Sequence, residues 1–369
     1  MGKYTEELSR RLKLTDKRQF YRESFQTYMT GPEWRNVEMA EEFAAFLREN
    51  RSLFHFPYFK QIAGLWRVIF KSLRAASQHD RQRDILLSEY TLMDLFIGFF
   101  TTLELLPKAI ISLFLAPFMP KENPTLIQQK IADYCERYSL DLQTVPFYDH
   151  DYQSYYKELK QAYNDSTKRT WGDWFSWKIV ALELKARYWI SKPLHYWFHQ
   201  EANLVSATTD VVVKARLDGI MDSLEAKQQF LRLLQRTNHT DISCSENDVY
   251  VKGSFQKNGQ SYTSVYARLH TPRYAAFIPA VNALTEQNIA LRKIAGQNQV
   301  QVKCVSEGAA ETPVMPHTPN TARTLYTYED NIHPAKRFCL FDVPVRYLQQ
   351  SVADFEHQEG VKVQFIHNF

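Results

Sequence analysis

From about Lys13 to about Thr240, apolar residues recur every three or four positions, the period of a helix with one buried face. Pro32 opens a stretch with Trp34, Val37, Ala40, Phe43, Phe46 and Leu47 on one side. Pro57 opens a second, through Phe59, Ile62, Trp66, Ile69, Phe70 and Leu73. Asn123-Pro124 sets an N-cap before a proline at the first helical position, ahead of Ile127, Ile131, Tyr134 and Tyr138. The same period through Val213, Leu217, Ile220, Leu224 and Leu231 predicts a last helix over 210–235.

After Thr240 the pattern changes. Two β-rich runs, 248–251 and 262–266, flank Asn258-Gly259, a pair that tolerates positive φ and so predicts a hairpin. Pro272 opens a helix carried to Leu291 and stopped by Gly296, and 300–305 reads as a strand. A Pro/Thr/Ala-rich stretch, 307–334, reads as a mobile loop. Strand 338–341, helix 344–359 with Gly360 as its stop, and strand 361–366 complete the chain. The fold class expected is therefore α+β, with an all-helical scaffold over 1–240 and a small α/β layered domain over 241–369 in ββαβ-βαβ order. The closing βαβ unit predicts a parallel strand pair, and no internal repeat is visible.

The most apolar stretch is 92–119. Its charge-free runs are broken by Asp94, Glu104 and Lys108, and Pro107 falls in the middle. Two short helices turning at Pro107 are expected there, as core or as a hairpin dipping into one leaflet. Trp171, Trp174 and Trp177 recur at three-residue intervals, flanked by Lys168, Arg169 and Lys178. Tryptophan beside cations is the composition of an anchor at the level of lipid headgroups, and equally of a seam between helices.

Composition narrows the function classes. Aromatic residues make up 14% of the 369, which suits heavy cores, interfaces and membrane surfaces alike. A formal charge of +4 spread along the chain, with no recognisable nucleic-acid motif, leads us to expect no nucleic-acid partner. Four scattered cysteines form neither a disulfide framework nor a zinc pattern. The charged start, 1–13, lacks the apolar core of a secretory signal, and Glu6 departs from the myristoylation pattern behind Gly2.

Candidate chemistry is sparse. His195 and His199 share a helix face at metal-ligand spacing, and Asp149-His150-Asp151 is a DxD turn; packing and capping explain both as well, and no metal or cofactor is expected. The better cluster is His270 and Arg273, where a strand hands over to a helix, with Asp342 at the matching end of another strand. The segment bearing His317, Arg323, Glu329 and His333 would close over it as a lid. Helix caps account for the same positions, so whether the chain is an enzyme stays open.

An aromatic, helix-rich scaffold with an apolar hairpin and a small α/β module resembles effectors that intracellular Gram-negative bacteria deliver through type IV secretion. Glu356, Gln358 and Glu359 add a thin acidic patch near the end. The resemblance implies action inside a host cell, in the cytoplasm or at a membrane, on a protein or lipid partner. The expectation is an interaction protein. Its helical part would dock to a partner protein or an anionic membrane surface, and its α/β domain would recognise a partner. The alternative is an enzyme with an anion-binding site at the strand ends.

Overall fold

A computed structural model describes residues 30–78, 82–144, 147–167, 170–202, 208–237, 239–257, 259–273, 276–308 and 323–367. The chain is α+β and divides into two compact units. One comprises Tyr28–Leu204 with Glu329–Pro334, and the other Val205–Tyr328 with Ala335–Phe369.

The helical unit contains α1 (Gly31–Arg48), α2 (Tyr58–Ser77), the short α3 (Gln82–Leu86), α4 (Glu89–Leu115), α5 (Leu126–Thr144), α6 (Tyr152–Asp165) and α7 (Trp171–Ala202). Its core joins Phe46, Phe54, Ile127, Ile131, Tyr152 and Leu184, all nearly inaccessible. Ser88 caps α4 by accepting a hydrogen bond from the Thr91 amide. A capping box starts α7: the Thr170 amide donates to Asp173, and the Asp173 amide donates to the Thr170 hydroxyl. The segment Glu329–Pro334, expected to lie in a loop, packs into this unit, where Asn331 Nδ2 donates to Gln61 Oε1 at 3.0 Å.

The expected turn at Pro107 is absent, and α4 runs unbroken for 27 residues. A proline inside a helix removes one amide donor and crowds the carbonyl four residues earlier. Here that carbonyl belongs to Leu103, on the exposed side, while the opposite side is held by packing and by ion pairs.

The second unit begins earlier than the periodicity suggested. Residues 208–218 form strand β1 (Thr208–Asp218), and only 223–235 form helix α8 (Ser223–Gln235). Val211, Val212 and Val213 are all fully buried, so the strand is apolar on both faces and shows no alternation. The hairpin forms as expected, β2 (Val249–Lys257) against β3 (Gln260–Pro272). Helix α9 (Phe277–Glu286) ends sooner than read, because Asn288 takes φ of 55° and the chain enters β4 (Ala290–Ile294). Then come β5 (Gln299–Ser306), β6 (Arg323–Glu329), β7 (Arg337–Pro344), α10 (Leu348–Glu356) and β8 (Val361–His367).

The strands form two sheets, in order β2-β3-β1-β4 and β6-β7-β5-β8. The two halves share one topology. In the first, Val211 pairs with Leu269 and Ile294, and in the second Val302 pairs with Phe341 and Ile366, at identical sequence spacings along the outer strands. Each central strand skips one residue of its neighbour two positions on, Arg292 in one sheet and Gln364 in the other. The helix between the last two strands buries Phe277, Ala280, Val281 and Leu284 in one half, and Leu348, Ser351, Val352 and Phe355 in the other. Among the described residues this is a repeat of strand order, register and burial pattern that the sequence does not display, because only burial positions recur. No parallel neighbours arise from the closing βαβ unit: β7 and β8 each pair antiparallel with β5, which lies between them.

Candidate functional site

Helix α4 is apolar outward and polar inward, the reverse of a helix on a water-facing surface. Leu92, Phe96, Phe99, Leu103, Leu113 and Phe114 are between 46% and 71% exposed. Thr91, Asp94, Lys108 and Ser112 are instead buried. Of its charged side chains, Glu104 and Lys108 join a four-charge network with Glu183 and Arg187 of α7. Lys108 Nζ lies 3.0 Å from Glu104 and 2.6 Å from Glu183, and Arg187 Nη2 lies 2.8 Å from Glu104 and 3.0 Å from Glu183. Burial opposes the charge on Glu104, but Arg187 and Lys108 outweigh it and hold the carboxyl down at about 2.

Helix α4 is flanked by α2 and α7. On the first side Gly98 lets α2 come close, since a side chain there would meet Ile69 at 2.7 Å and the Trp66 ring at 3.1 Å. The Trp66 indole N–H donates to Thr102 Oγ1 at 2.9 Å, one turn on. On the other side, Glu104 and Lys108 meet α7. At about 100° per residue, Gly98 and Thr102 bound the exposed arc of α4 on one edge, and Glu104 and Lys108 bound it on the other. The Glu104–Lys108 turn faces Glu183–Arg187, and Met119 faces Gly172, so α4 and α7 run side by side in opposite directions. The Trp171 end of α7 therefore lies beside the Phe114 end of α4.

The outer face of α7 carries Trp171, Trp174, Leu182, Trp189 and Tyr196, from 40% to 82% exposed, together with exposed Lys178, Lys185 and Lys192. Among its described side chains, the acids Asp173 and Glu183 face inward. Trp171 and Trp174 thus lie on the outer face. Trp177 does not: it is half-buried, stacked on Tyr163 of α6 with centroids 4.7 Å apart. Lys178 sits over the Trp177 ring at 4.5 Å and near the Trp174 ring at 5.8 Å. Lys168 and Arg169 lie outside the described residues, as does the side chain of His199. Trp189 and Tyr196 were missed, although the three- and four-residue spacing that links them to Trp171 carries the signal.

In the sheet unit, His270 finds its carboxylate on the neighbouring strand. His270 Nδ1 lies 2.5 Å from Asp210 Oδ1, and the other oxygen of Asp210 takes Arg268 Nη2 at 2.6 Å. Asp342 lies in the other sheet, almost fully buried, 3.4 Å from Arg323. Arg273 follows the end of β3 and is partly buried. His317 lies outside the described residues, while His333 belongs to the helical unit, 3.6 Å from Glu49. The DxD turn is explained by capping, with Asp151 accepting from the Ser154 amide at the start of α6 and Asp149 meeting His195 at 2.6 Å. Among the described residues no three His, Cys, Asp or Glu side chains converge to hold a metal ion.

The hydrogen bond to Asp210 raises the His270 pKa above its usual 6.5, against the opposing effect of burial. A raised imidazole pKa contributes stability that is complete below pH 6.5 and fades as pH rises through the folded value. An NMR titration should therefore place the His270 midpoint above 6.5, and Asp210→Asn should bring it down. An unshifted midpoint in the unsubstituted chain would contradict the pairing.

Comparison with known proteins returned no match to a family model, a curated protein or a solved structure.

Proposed function

We propose that this chain docks on an anionic membrane surface through its helical unit, with α4 as the inserted element and α7 as one of its rims. The observation that carries the reading is the inverted polarity of α4. Asp94, Glu104 and Lys108 face into the protein, the last two within an ion-pair network, while an apolar face about 40 Å long is presented outward. Soluble monomers rarely leave such a patch uncovered. A bilayer interface suits it, because apolar side chains enter the acyl boundary while tryptophan and lysine at the edge stay at headgroup level. Exposed Lys178, Lys185 and Lys192, with Asp173 and Glu183 turned inward, supply the charge complement to anionic lipid. The helix docks along its side. Crossing the bilayer would carry Asp94, Glu104 and Lys108 into hydrocarbon and break their packing.

Vesicle flotation of the whole chain tests this. The unsubstituted protein should float with phosphatidylcholine–phosphatidylserine vesicles. Phe99→Asp together with Phe114→Asp should lower the bound fraction at least about tenfold, since each places a charge where an apolar ring would insert. Both positions are more than half exposed, so the unfolding temperature should not change. Equal flotation by the variant would exclude the reading. So would a stable dimer that covers this face, seen by size measurement without lipid.

A further inference from the structure

We propose that the first sheet binds single-stranded nucleic acid on its outer face, at the end formed by the β2–β3 hairpin. Phe255 and Tyr262 would stack on bases, while Lys214, Arg216, Lys252 and Arg292 would meet phosphates. The site belongs to the sheet unit and is independent of the membrane reading.

The order β1, α8, β2, β3, α9, β4 places both helices on one side of this sheet. Phe230 of α8 and Phe277 of α9 share a core with Val213, Ala215, Val265 and Ala267. Side chains alternate along a strand, so Lys214 and Arg216 of β1 stand on the other side, with Tyr262 and Tyr266 of β3. Register brings them together: Lys214 pairs with Tyr266, Arg216 with Ser264, and Phe255 of β2 with Tyr262. Three cations each lie over a ring. Lys214 is 5.6 Å from the Tyr266 centroid, Arg216 is 5.4 Å from Tyr262, and Lys252 is 5.3 Å from Phe255. The Phe255 and Tyr262 rings stack on each other at 5.8 Å. Arg216, Lys252 and Phe255 are exposed, and Lys214, Tyr262 and Arg292 are half-buried.

Charge on these strands is one-sided. They carry seven Lys and Arg against two Asp, and β2, β3 and β4 contain no acid. Asp210 lies at the far end, committed to Arg268 and His270, and Asp218 is exposed at the near end. Lys214, Arg216, Lys252 and Arg292 form no ion pair among the described residues. Burial first, then Arg292, Arg216 and Lys252, push the Lys214 pKa down, so the four cations share one field. Cations alone would suit any anion. Cations interleaved with stacked rings on an open sheet suit a strand that offers phosphates and unpaired bases together. The βαββαβ order hosts many functions, so the weight rests on these side chains. Charge spread along the chain led to the opposite expectation, because strand register, not sequence, gathers it.

Binding of the whole chain to a fluorescent oligouridylate of about 12 nucleotides is measured by anisotropy across a salt series. Phe255→Leu with Tyr262→Leu keeps the charge and removes the rings, and should weaken binding about tenfold or more. Lys214→Gln with Arg216→Gln should weaken it too, and flatten the slope of log affinity against log salt by about 1.4, at about 0.7 per phosphate contact. Arg232→Gln with Arg236→Gln removes the same charge at the end of α8, on the helix side of the sheet, and should change little. An unmoved His270 imidazole signal reports that β3 is intact in each variant. Undiminished binding by the ring variant would mean charge attraction alone and overturn the proposal. Equal loss in the α8 control would do the same, as would a polyglutamate peptide that competes as well as unlabelled oligouridylate. If the ring variant loses flotation on serine-containing vesicles yet holds the oligonucleotide, the face belongs to the membrane surface and the proposal fails. Absence of oligonucleotide binding by the unsubstituted chain would end it outright, leaving the membrane reading untouched.

Discussion

Lys108→Met lowers the stability of the helical unit by about 3–5 kcal/mol, because it leaves Glu104 and Glu183 facing each other with Arg187 as their only cation in the network. The four charges balance, two against two, in a site where Lys108 is 8% exposed and Glu183 is 7% exposed. Removing either cation strands a buried negative charge. Removing one of each sign does not, so Lys108→Met combined with Glu183→Gln should recover most of the loss. Tryptophan fluorescence during urea unfolding reads this unit alone, since all seven Trp lie between Trp34 and Trp197. The network also sets an acid limit. The Glu104 carboxyl is held at about 2 against an ordinary 4.5, so its stabilisation is complete above pH 4.5 and is lost as pH falls toward 2. A Lys108→Met protein as stable as its parent would show that these charges are solvated. The side-on orientation of α4 would then lose its anchor.

That orientation could not be read from the sequence. The apolar run at 92–119 was visible, but a hydrophobic stretch does not say which of its faces is buried. Asp94, Glu104 and Lys108 looked like interruptions of a membrane-seeking segment. In the folded unit they form its inner side, and the interruption at Pro107 is absorbed within one continuous helix. The same ambiguity left the Trp cluster open between an exposed anchor and a buried seam, and the protein divides it, since three Trp at three-residue spacing drift around the helix until the last meets Tyr163. In the sheet unit, turn chemistry was reliable, as the hairpin around Gly259 shows. Strand β1 was missed because a central strand buried on both faces presents a run of Val that mimics one turn of an apolar helix. The α+β class survived these errors because helices and strands still segregate along the chain.

Asp94→Asn should stabilise the helical unit, an unusual outcome for a fully buried position. The Asp94 side chain is inaccessible to solvent, and neither carboxylate oxygen has a hydrogen-bond partner among the described residues. Burial, with a smaller contribution from Glu33, pushes the carboxyl up to about 9. The acid is therefore neutral in the folded protein at pH 7 and ionised in the unfolded chain. The sign follows from linkage: a raised carboxyl pKa costs stability progressively from its unfolded value near 3.8 up to the folded value near 9. At 1.36 kcal/mol per unit, the cost at pH 7 approaches about 4 kcal/mol, a ceiling that local relaxation lowers. Asparagine keeps the shape and removes the ionisation. Its gain should be small at pH 4 and grow steadily to pH 8, measured as the difference in urea midpoints between variant and parent. A difference independent of pH would mean that Asp94 is ionised in the fold and has found a partner. A growing difference would show that α4 keeps its polar side inward at a real cost in stability. Such a cost is compatible with a helix whose outer face is reserved for lipid, because selection there acts on the surface presented and not on the depth of the fold's minimum.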